Sequence, residues 1–159
     1  MKIAVISDTH GVYTRVIRYL NESTDIDYLI HLGDHADDAD YIMALTNIDG
    51  FAVLGNNDYS SEGIVPEERI IEIEGKRILA VHGHRQAVGF GLSWIKDLAE
   101  ERDVDIVLFG HTHQYLDEIF EGIRFINPGS ASLPRGEDNR KCMIVMTIDD
   151  DVDIERIFL

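Results

Sequence analysis

The segment DIVLFGHTHQYL, Asp105 to Leu116, joins an apolar run to two histidines that stand one residue apart. Its apolar part ends in Gly110, a pattern that predicts a buried strand followed by a tight turn into a site. In an extended segment residues i and i+2 point the same way and lie roughly 7 Å apart. The segment therefore predicts a strand that delivers His111 and His113 to one common site.

Four other apolar runs also read as strands covered on both faces: KIAVIS (2–7), YLIHLG (28–33), FAVLG (51–55) and RILAVHG (77–83). Helix-period segments lie between several of them, at 12–21, 39–46 and 91–102. Short strands joined by turns follow, at 115–120, 123–127, 142–148 and 152–158, and another is expected at 68–73. The alternation predicts an α/β fold with two mixed sheets packed face to face and helices outside. Trp94 is expected to pack against its helix, and the glycine-rich stretch 89–94 to form a pocket wall or a lid.

The length of 159 residues predicts a single domain that spans residues 1–159. No run approaches the roughly 20 apolar residues of a membrane helix, so a cytoplasmic protein without membrane attachment is expected. Cys142 is the only cysteine, which excludes an intrachain disulfide and a thiolate metal cluster. The net charge of −16 repels phosphate backbones and argues against nonspecific nucleic-acid binding.

Each of the five apolar runs ends in residue types that bind metals. They are, in chain order, Asp8 and His10, Asp34, Asn56, His82, and His111 with His113. Sites in open α/β sheets assemble at the carboxyl ends of the strands. One aspartate at such an end is usually a turn or a helix cap, but five equivalent positions indicate a metal centre.

Seven candidate ligands are too many for one tetrahedral zinc and suit two ions that share a bridging group. Carboxylate, amide and imidazole ligands without thiolate favour manganese, iron, zinc, nickel or cobalt. Two aspartates against two divalent ions leave a local charge of about +2. An acidic chain can therefore offer a positive pocket to a small anionic substrate.

The blocks D-x-H, G-D, G-N-x-D, H-G-H and G-H-x-H, with NPGS at 127–130, resemble the calcineurin-like metallophosphoesterases. The resemblance is strongest to the compact single-domain phosphodiesterases of bacteria and archaea. It implies a four-layer αββα sandwich and two divalent transition-metal ions, with manganese favoured. Asp8, His10 and His113 would hold one ion and Asn56, His82 and His111 the other, with Asp34 bridging both. It also implies a phosphoesterase in which a metal-bridging hydroxide attacks phosphorus in line.

Position 57 departs from the family pattern. Many relatives carry histidine there, as a proton donor to the leaving group, and the narrower subfamily commonly carries cysteine, whereas this chain has Asn57. An amide is no general acid, which favours diesters or activated esters over ordinary monoesters. The expected catalytic residues are Asp34, Asn56, Asn57, His82 and His84, and the expected substrate contacts are Asn57, His84 and Arg135. Asp58 is expected to orient a neighbour or to cap a turn, and His31 to be a core residue.

Several alternatives stay open. A triad built from Ser7, Asp8 and His10 would leave the other ligand positions unexplained. A retromer subunit has the same fold and works in protein assembly, so a metal-binding scaffold is the main alternative to an enzyme. A phosphomonoesterase, a dimetal hydrolase of another bond and a homodimer are further alternatives.

Overall fold

Ten strands form two mixed five-stranded sheets in the computed structural model, which describes residues 1–159. The strands are β1 Lys2–Ile6, β2 Tyr28–His31, β3 Gly50–Ala52, β4 Glu68–Ile73, β5 Lys76–Val81, β6 Ile106–Leu108, β7 Tyr115–Phe120, β8 Ile123–Pro128, β9 Cys142–Ile148 and β10 Val152–Phe158. The helices are α1 Thr14–Glu22, α2 Asp38–Thr46 and α3 Ser93–Arg102, with short 3-10 turns at Tyr59–Ser61 and Val88–Phe90.

The first sheet has the order β10-β9-β1-β2-β3 and the second has the order β4-β5-β6-β8-β7. Strands β1, β2 and β3 run parallel to one another, and so do β5, β6 and β8. Antiparallel pairing extends the first group on one side, through β9, and the second group on both sides, through β4 and β7. The loops that leave β1, β2, β3, β5 and β6 therefore gather at the carboxyl ends of the two parallel groups, as the position of the candidate ligands predicts.

Three apolar clusters separate four layers. The largest has 14 buried residues and lies between the inner faces of the two sheets, where Val5 and Ile30 meet Leu108. A second packs α3 through Ile95 onto β5 and β6, and a third packs α1 and α2 onto the first sheet. This arrangement confirms the predicted αββα sandwich.

The sequence predictions differ from the structure mainly at element ends, since β2, β3 and β6 are shorter than the apolar runs that contain them. Residues such as Leu32, Val53 and Phe109 are buried but already belong to the loops. The prediction for Trp94 is wrong: its side chain is 65% exposed on α3, because Ile95 and Ala99 form the buried face of this helix. None of the helices has the length and apolar character needed to span a bilayer.

Candidate metal centre

Four of the seven predicted ligands converge at the ends of β1, β2 and β6. The ligand atoms of Asp8, His10, Asp34 and His113 all lie within 4.8 Å of one another. Asp8, Asp34 and His113 are buried, and His10 is half-buried. Carboxylates and imidazoles at this spacing can share one divalent ion.

The other three predicted ligands lie beside this group. His82 Nε2 is 3.1 Å from the Asn56 side-chain oxygen, and the rings of His82 and His111 have centroids 5.2 Å apart. The backbone N–H of His111 also donates to Asp8 Oδ2 at 3.1 Å. All seven predicted ligands therefore occupy one region, in two adjoining groups.

Asp34 stands between the two groups. Its Oδ2 lies 3.7 Å from His10 Nε2, whereas its Oδ1 lies 3.4 Å from His82 Nε2. One carboxylate thus presents one oxygen to each group, and this is the geometry that a ligand bridging two ions requires.

The backbone of the site is unusual. Five of the seven predicted ligands have positive φ: Asp8, His10, Asp34, His111 and His113. Residues other than glycine rarely adopt this left-handed conformation, which costs of order 1 kcal/mol or more each. Such costs persist only where the surrounding structure holds the chain in place, and they concentrate at functional sites.

Two of the histidines have a defined tautomer. His82 Nδ1 lies 2.7 Å from the carbonyl oxygen of Leu32, and His113 Nδ1 lies 2.6 Å from that of Leu133. A carbonyl only accepts, so in both rings Nδ1 carries the hydrogen and donates it. The lone pair of Nε2 is then directed at the carboxylates, which is how ligating histidines are commonly oriented.

The centre fits a cation. His10 Nε2 and Asp8 Oδ1 are buried side-chain atoms without a hydrogen-bond donor, because His113 Nε2, which lies 3.1 Å from Asp8 Oδ1, is the nitrogen without hydrogen in the neutral ring; buried polar atoms are nearly always satisfied. Burial alone would lower the pKa of His113, but the adjacent Asp8 carboxylate outweighs it and raises that pKa. The Asp8 carboxylate therefore favours a positive charge next to His113. Two divalent ions would supply that charge and satisfy both orphaned atoms.

Asp58 is a structural residue of the site. Its buried carboxylate accepts four backbone N–H groups, from Asp34 at 3.0 Å, His35 at 2.6 Å, Ala36 at 2.8 Å and Gly55 at 2.7 Å. These bonds join the loop that carries Asp34 to the loop that carries Asn56. The expectation that Asp58 orients a neighbour therefore holds, for two loops at once.

The segment 127–132, which is the NPGS motif and the two residues after it, fixes two other loops. Asn127 donates from its amide to the Gly110 carbonyl at 2.8 Å, while the hydroxyls of Ser130 and Ser132 donate to the Asp8 carbonyl at 2.8 and 2.9 Å. All three side chains are buried. This segment thus positions the loops after β1 and β6, a role that the sequence analysis did not assign to it.

A hydrogen-bonded chain supports the first loop from the side of β2. The Gly33 N–H donates to His31 Nδ1 at 3.1 Å, so the ring proton is on Nε2 and is donated to Thr9 Oγ1 at 2.9 Å. The Thr9 hydroxyl then donates to Asp38 at 2.6 Å. Burial lowers the pKa of His31 to about 4, which keeps this ring neutral. Thr9 lies between Asp8 and His10, so the chain holds both candidate ligands in place.

Gly110 allows two loops of the site to pack closely. A Cβ at this position would lie 1.9 Å from Ser7 Oγ and 2.9 Å from Asp8 Oδ2. Its φ is not positive, unlike that of Gly33 or Gly83. The glycine therefore lets the loop after β6 approach the loop after β1, and the sharp turn predicted from sequence is made by His111 itself.

The three predicted substrate contacts surround the centre. Asn57 is exposed, and its amide donates to Asp34 Oδ2 at 2.6 Å. The His84 ring lies 5.3 Å from that of His82 and keeps a buried Nδ1 without a partner. Arg135 is exposed, has no carboxylate partner, and donates its backbone N–H to the His113 carbonyl at 3.0 Å.

Known proteins resemble this chain over most of its length. The family model described as "Calcineurin-like phosphoesterase superfamily domain" matches residues 1–151. A Mycoplasma pneumoniae protein named as a probable metallophosphoesterase is 32% identical over 137 residues, which cover 84% of this chain and 81% of that protein. A Methanocaldococcus jannaschii protein named as a phosphodiesterase is 27% identical and is matched over 82% of this chain and 84% of its own length.

A solved structure shares the fold. Vps29 from Entamoeba histolytica, crystallised as a zinc complex, superposes with a TM-score of 0.81 over 99% of each chain, at 23% identity. At this identity the likeness concerns the fold alone. The match to the family model over nearly the full length carries the assignment: the chain belongs to the calcineurin-like phosphoesterase superfamily.

Proposed function

We propose that this protein is a dimetal-dependent phosphodiesterase. The observation that carries the proposal is the Asp34 carboxylate, with one oxygen towards His10 and the other towards His82. The M. jannaschii relative named as a phosphodiesterase supports the same reaction. In this proposal Asp8, His10 and His113 hold one ion, Asn56, His82 and His111 hold the other, and Asp34 holds both.

Two bound divalent ions would supply Lewis acidity, which activates water and neutralises phosphoryl oxygens during in-line displacement. The protein orients the centre. Leu32 and Leu133 fix the His82 and His113 rings through their carbonyls, and Asn57 steadies Asp34 through its amide. These hydrogen bonds hold the ligand atoms in place before substrate arrives.

The absence of a strong proton donor restricts the substrates. Burial, followed by the charge of His82, lowers the pKa of His84 to about 4, so this ring is neutral near pH 7. A neutral His84 can donate an N–H hydrogen bond to a phosphoryl oxygen but is not an imidazolium acid, and the Asn57 amide is no acid either. Arg135, which has no carboxylate partner, is placed to attract the anionic substrate. Esters with a stable leaving group should therefore react best.

Hydrolysis of bis(p-nitrophenyl) phosphate, compared with p-nitrophenyl phosphate, tests the proposal. Protein stripped with a chelator should be inactive, and added Mn, Ni, Zn or Mg should each be assayed for restoration. We expect restored diester turnover with a transition metal, and manganese is the ion that we propose. Absence of turnover with every metal, across a wider panel of phosphoesters, would contradict the proposal.

Asn57→His tests the role of position 57. Histidine can protonate an alkoxide leaving group, so turnover of an alkyl monoester should rise relative to that of an activated diester by about a hundredfold, the low end of general acid catalysis. The measurement is the ratio of kcat/KM for glycerol 2-phosphate, whose alkoxide leaving group needs a proton, to that for bis(p-nitrophenyl) phosphate, whose nitrophenolate does not. Asn57→Ala is the control, because it also removes the hydrogen bond to Asp34 without adding an acid. An equal ratio in both variants would remove position 57 from the argument about specificity.

The scaffold alternative has one observation in its favour, the close fold likeness to Vps29. It predicts two tightly bound ions with no turnover of any phosphoester. Metal analysis alongside the hydrolysis assay separates the two functions, since both proposals require binding and only the phosphodiesterase requires catalysis.

A further inference from the structure

A cavity of about 390 Å³ opens beside His111. Its apolar surface comes from Val88, Leu92, Phe109 and Leu116, and its polar surface includes Thr112 and Gln114. Small-molecule sites typically have volumes of about 300–1,000 Å³, with mostly apolar walls and a few polar groups. The cavity therefore has the size and lining of a site for a small organic group.

The cavity has a preformed wall. Val88 is buried, and its backbone N–H donates to the Gly83 carbonyl at 3.3 Å. Gly83 has φ +100, and a Cβ there would lie 2.9 Å from a Val88 methyl carbon, so the absence of a side chain admits Val88. The stretch 89–94 contributes Gly89, Gly91 and Leu92 to the lining, so part of this segment forms a pocket wall, as the sequence predicts.

Two walls of the cavity belong to loops that also carry candidate metal ligands. One wall belongs to the loop after β5, which also carries His82 and His84, and the other follows β6, which carries His111 and His113. His111 lines the cavity itself. A group seated in the cavity can thus be covalently attached to a phosphoryl group held at the centre.

A smaller cavity of about 170 Å³ lies at Asn56 and His84. The centre is therefore flanked by two cavities, one next to His111 and one next to His84. A phosphodiester has two organic arms, whereas a monoester has one. Two cavities of unequal size favour a diester whose arms also differ in size.

We propose that the larger cavity binds an aromatic arm of the diester substrate, with Val88, Leu92 and Leu116 against the ring. Thr112 and Gln114 then hydrogen-bond to a polar edge of that ring, which is a feature of heteroaromatic groups such as nucleobases. Arg135, which also lines the cavity, balances the charge of the anionic ester. This inference rests on the proposed phosphodiesterase function and names the class of its substrate.

Leu116→Trp fills the cavity and provides the test. The first readout is the ratio of kcat/KM for bis(p-nitrophenyl) phosphate to that for methyl p-nitrophenyl phosphate, which share a leaving group and differ in the other arm. The second is the ratio of the dissociation constants of diphenyl phosphate and inorganic phosphate, measured by calorimetry on manganese-loaded protein. We expect the substituted protein to lose about tenfold in preference for the aryl ligand in both readouts.

Ile119→Trp is the matched control, because Ile119 lies on the same strand, is 72% exposed and does not line the cavity. Both of its ratios should stay within twofold of the unmodified protein. If Leu116→Trp does not fold, Gln114→Trp at the exposed rim replaces it. Unchanged ratios in the cavity variant would overturn the subsite. The unmodified protein could instead lack diester turnover but bind diphenyl phosphate selectively, and the cavity variant could lose that selectivity. This result would overturn the proposed phosphodiesterase function and support the subsite.

Discussion

Asp34→Asn is expected to lower kcat/KM for bis(p-nitrophenyl) phosphate by about a thousandfold or more. The change replaces the carboxylate that faces both groups of ligands by a neutral amide with a single acceptor oxygen. The bridge between two ions would be lost together with one negative charge. A thousandfold loss corresponds to roughly 4 kcal/mol of transition-state stabilisation, an amount that a metal centre can supply.

Metal content is the second measurement for this variant. Elemental analysis should fall from two ions per chain to one or fewer, whereas Asp40→Asn, an exposed aspartate on α2, should keep both ions and full activity. The metal-free variant should melt no lower than the unmodified metal-free protein, because the Asp8 and Asp34 carboxylates lie within 4.8 Å and the substitution removes their mutual repulsion. Full activity with two ions in Asp34→Asn would refute the bridging role.

The strands and most of the site were accessible from sequence because their signals are local. A continuous apolar run identifies a buried strand such as β6, and the residue that follows it is placed by chain connectivity alone. The strand ends then meet at one edge because parallel strands are aligned. For this reason Asp8 and Asp34, which follow β1 and β2 of the first sheet, could be placed together from sequence, whereas their approach to His82, which follows β5 of the second sheet, depends on how the two sheets pack.

Other features depend on contacts between distant segments. Ser130 and Ser132 reach the Asp8 carbonyl across more than 120 residues of chain, and nothing near either serine specifies that partner. The hydrogen bond from His82 to Leu32 spans 50 residues and decides a tautomer that no spacing encodes. Trp94 was misplaced for a different reason: Ile95 and Ala99 at helical spacing mark the buried face of α3, and Trp94 lies off that face although its side chain is large and apolar. The NPGS motif was the available signal for Ser130, and Ser132 lies two residues beyond it.

Asp58→Asn is expected to lower the free energy of unfolding of metal-free protein by about 3 kcal/mol. Asp58 Oδ1 accepts the N–H groups of His35 and Ala36, and Oδ2 accepts those of Asp34 and Gly55. An amide has one oxygen and one NH₂ group. Two of the four backbone N–H groups would therefore lose their acceptor and would face the NH₂ group, which is itself a donor. Leaving buried donors unsatisfied costs about 1–3 kcal/mol each, and hydrogen bonds to charged acceptors are the stronger ones.

Thermal unfolding in the presence of a chelator measures this effect. A loss of this size should lower Tm by about 10 °C in a chain of this length. Asp150→Asn, an exposed aspartate in the turn between β9 and β10, is the matched control and should melt within about 1 °C of the unmodified protein. An Asp58→Asn protein that melts with the control would show that the four N–H groups find other acceptors.

The same substitution separates positioning from ligation. Asp58 is no candidate ligand, yet its hydrogen bonds hold the loop of Asp34 against the loop of Asn56. The two loops approach closely there, since a Cβ on Gly33 would lie 2.7 Å from the Gly55 nitrogen. Added manganese should raise the Tm of the unmodified protein by preferential binding to the folded state. It should raise the Tm of Asp58→Asn less, because part of the binding energy is then used to bring the two loops together. An equal rise in both proteins would show that each loop reaches its geometry alone, and would confine the role of Asp58 to stability.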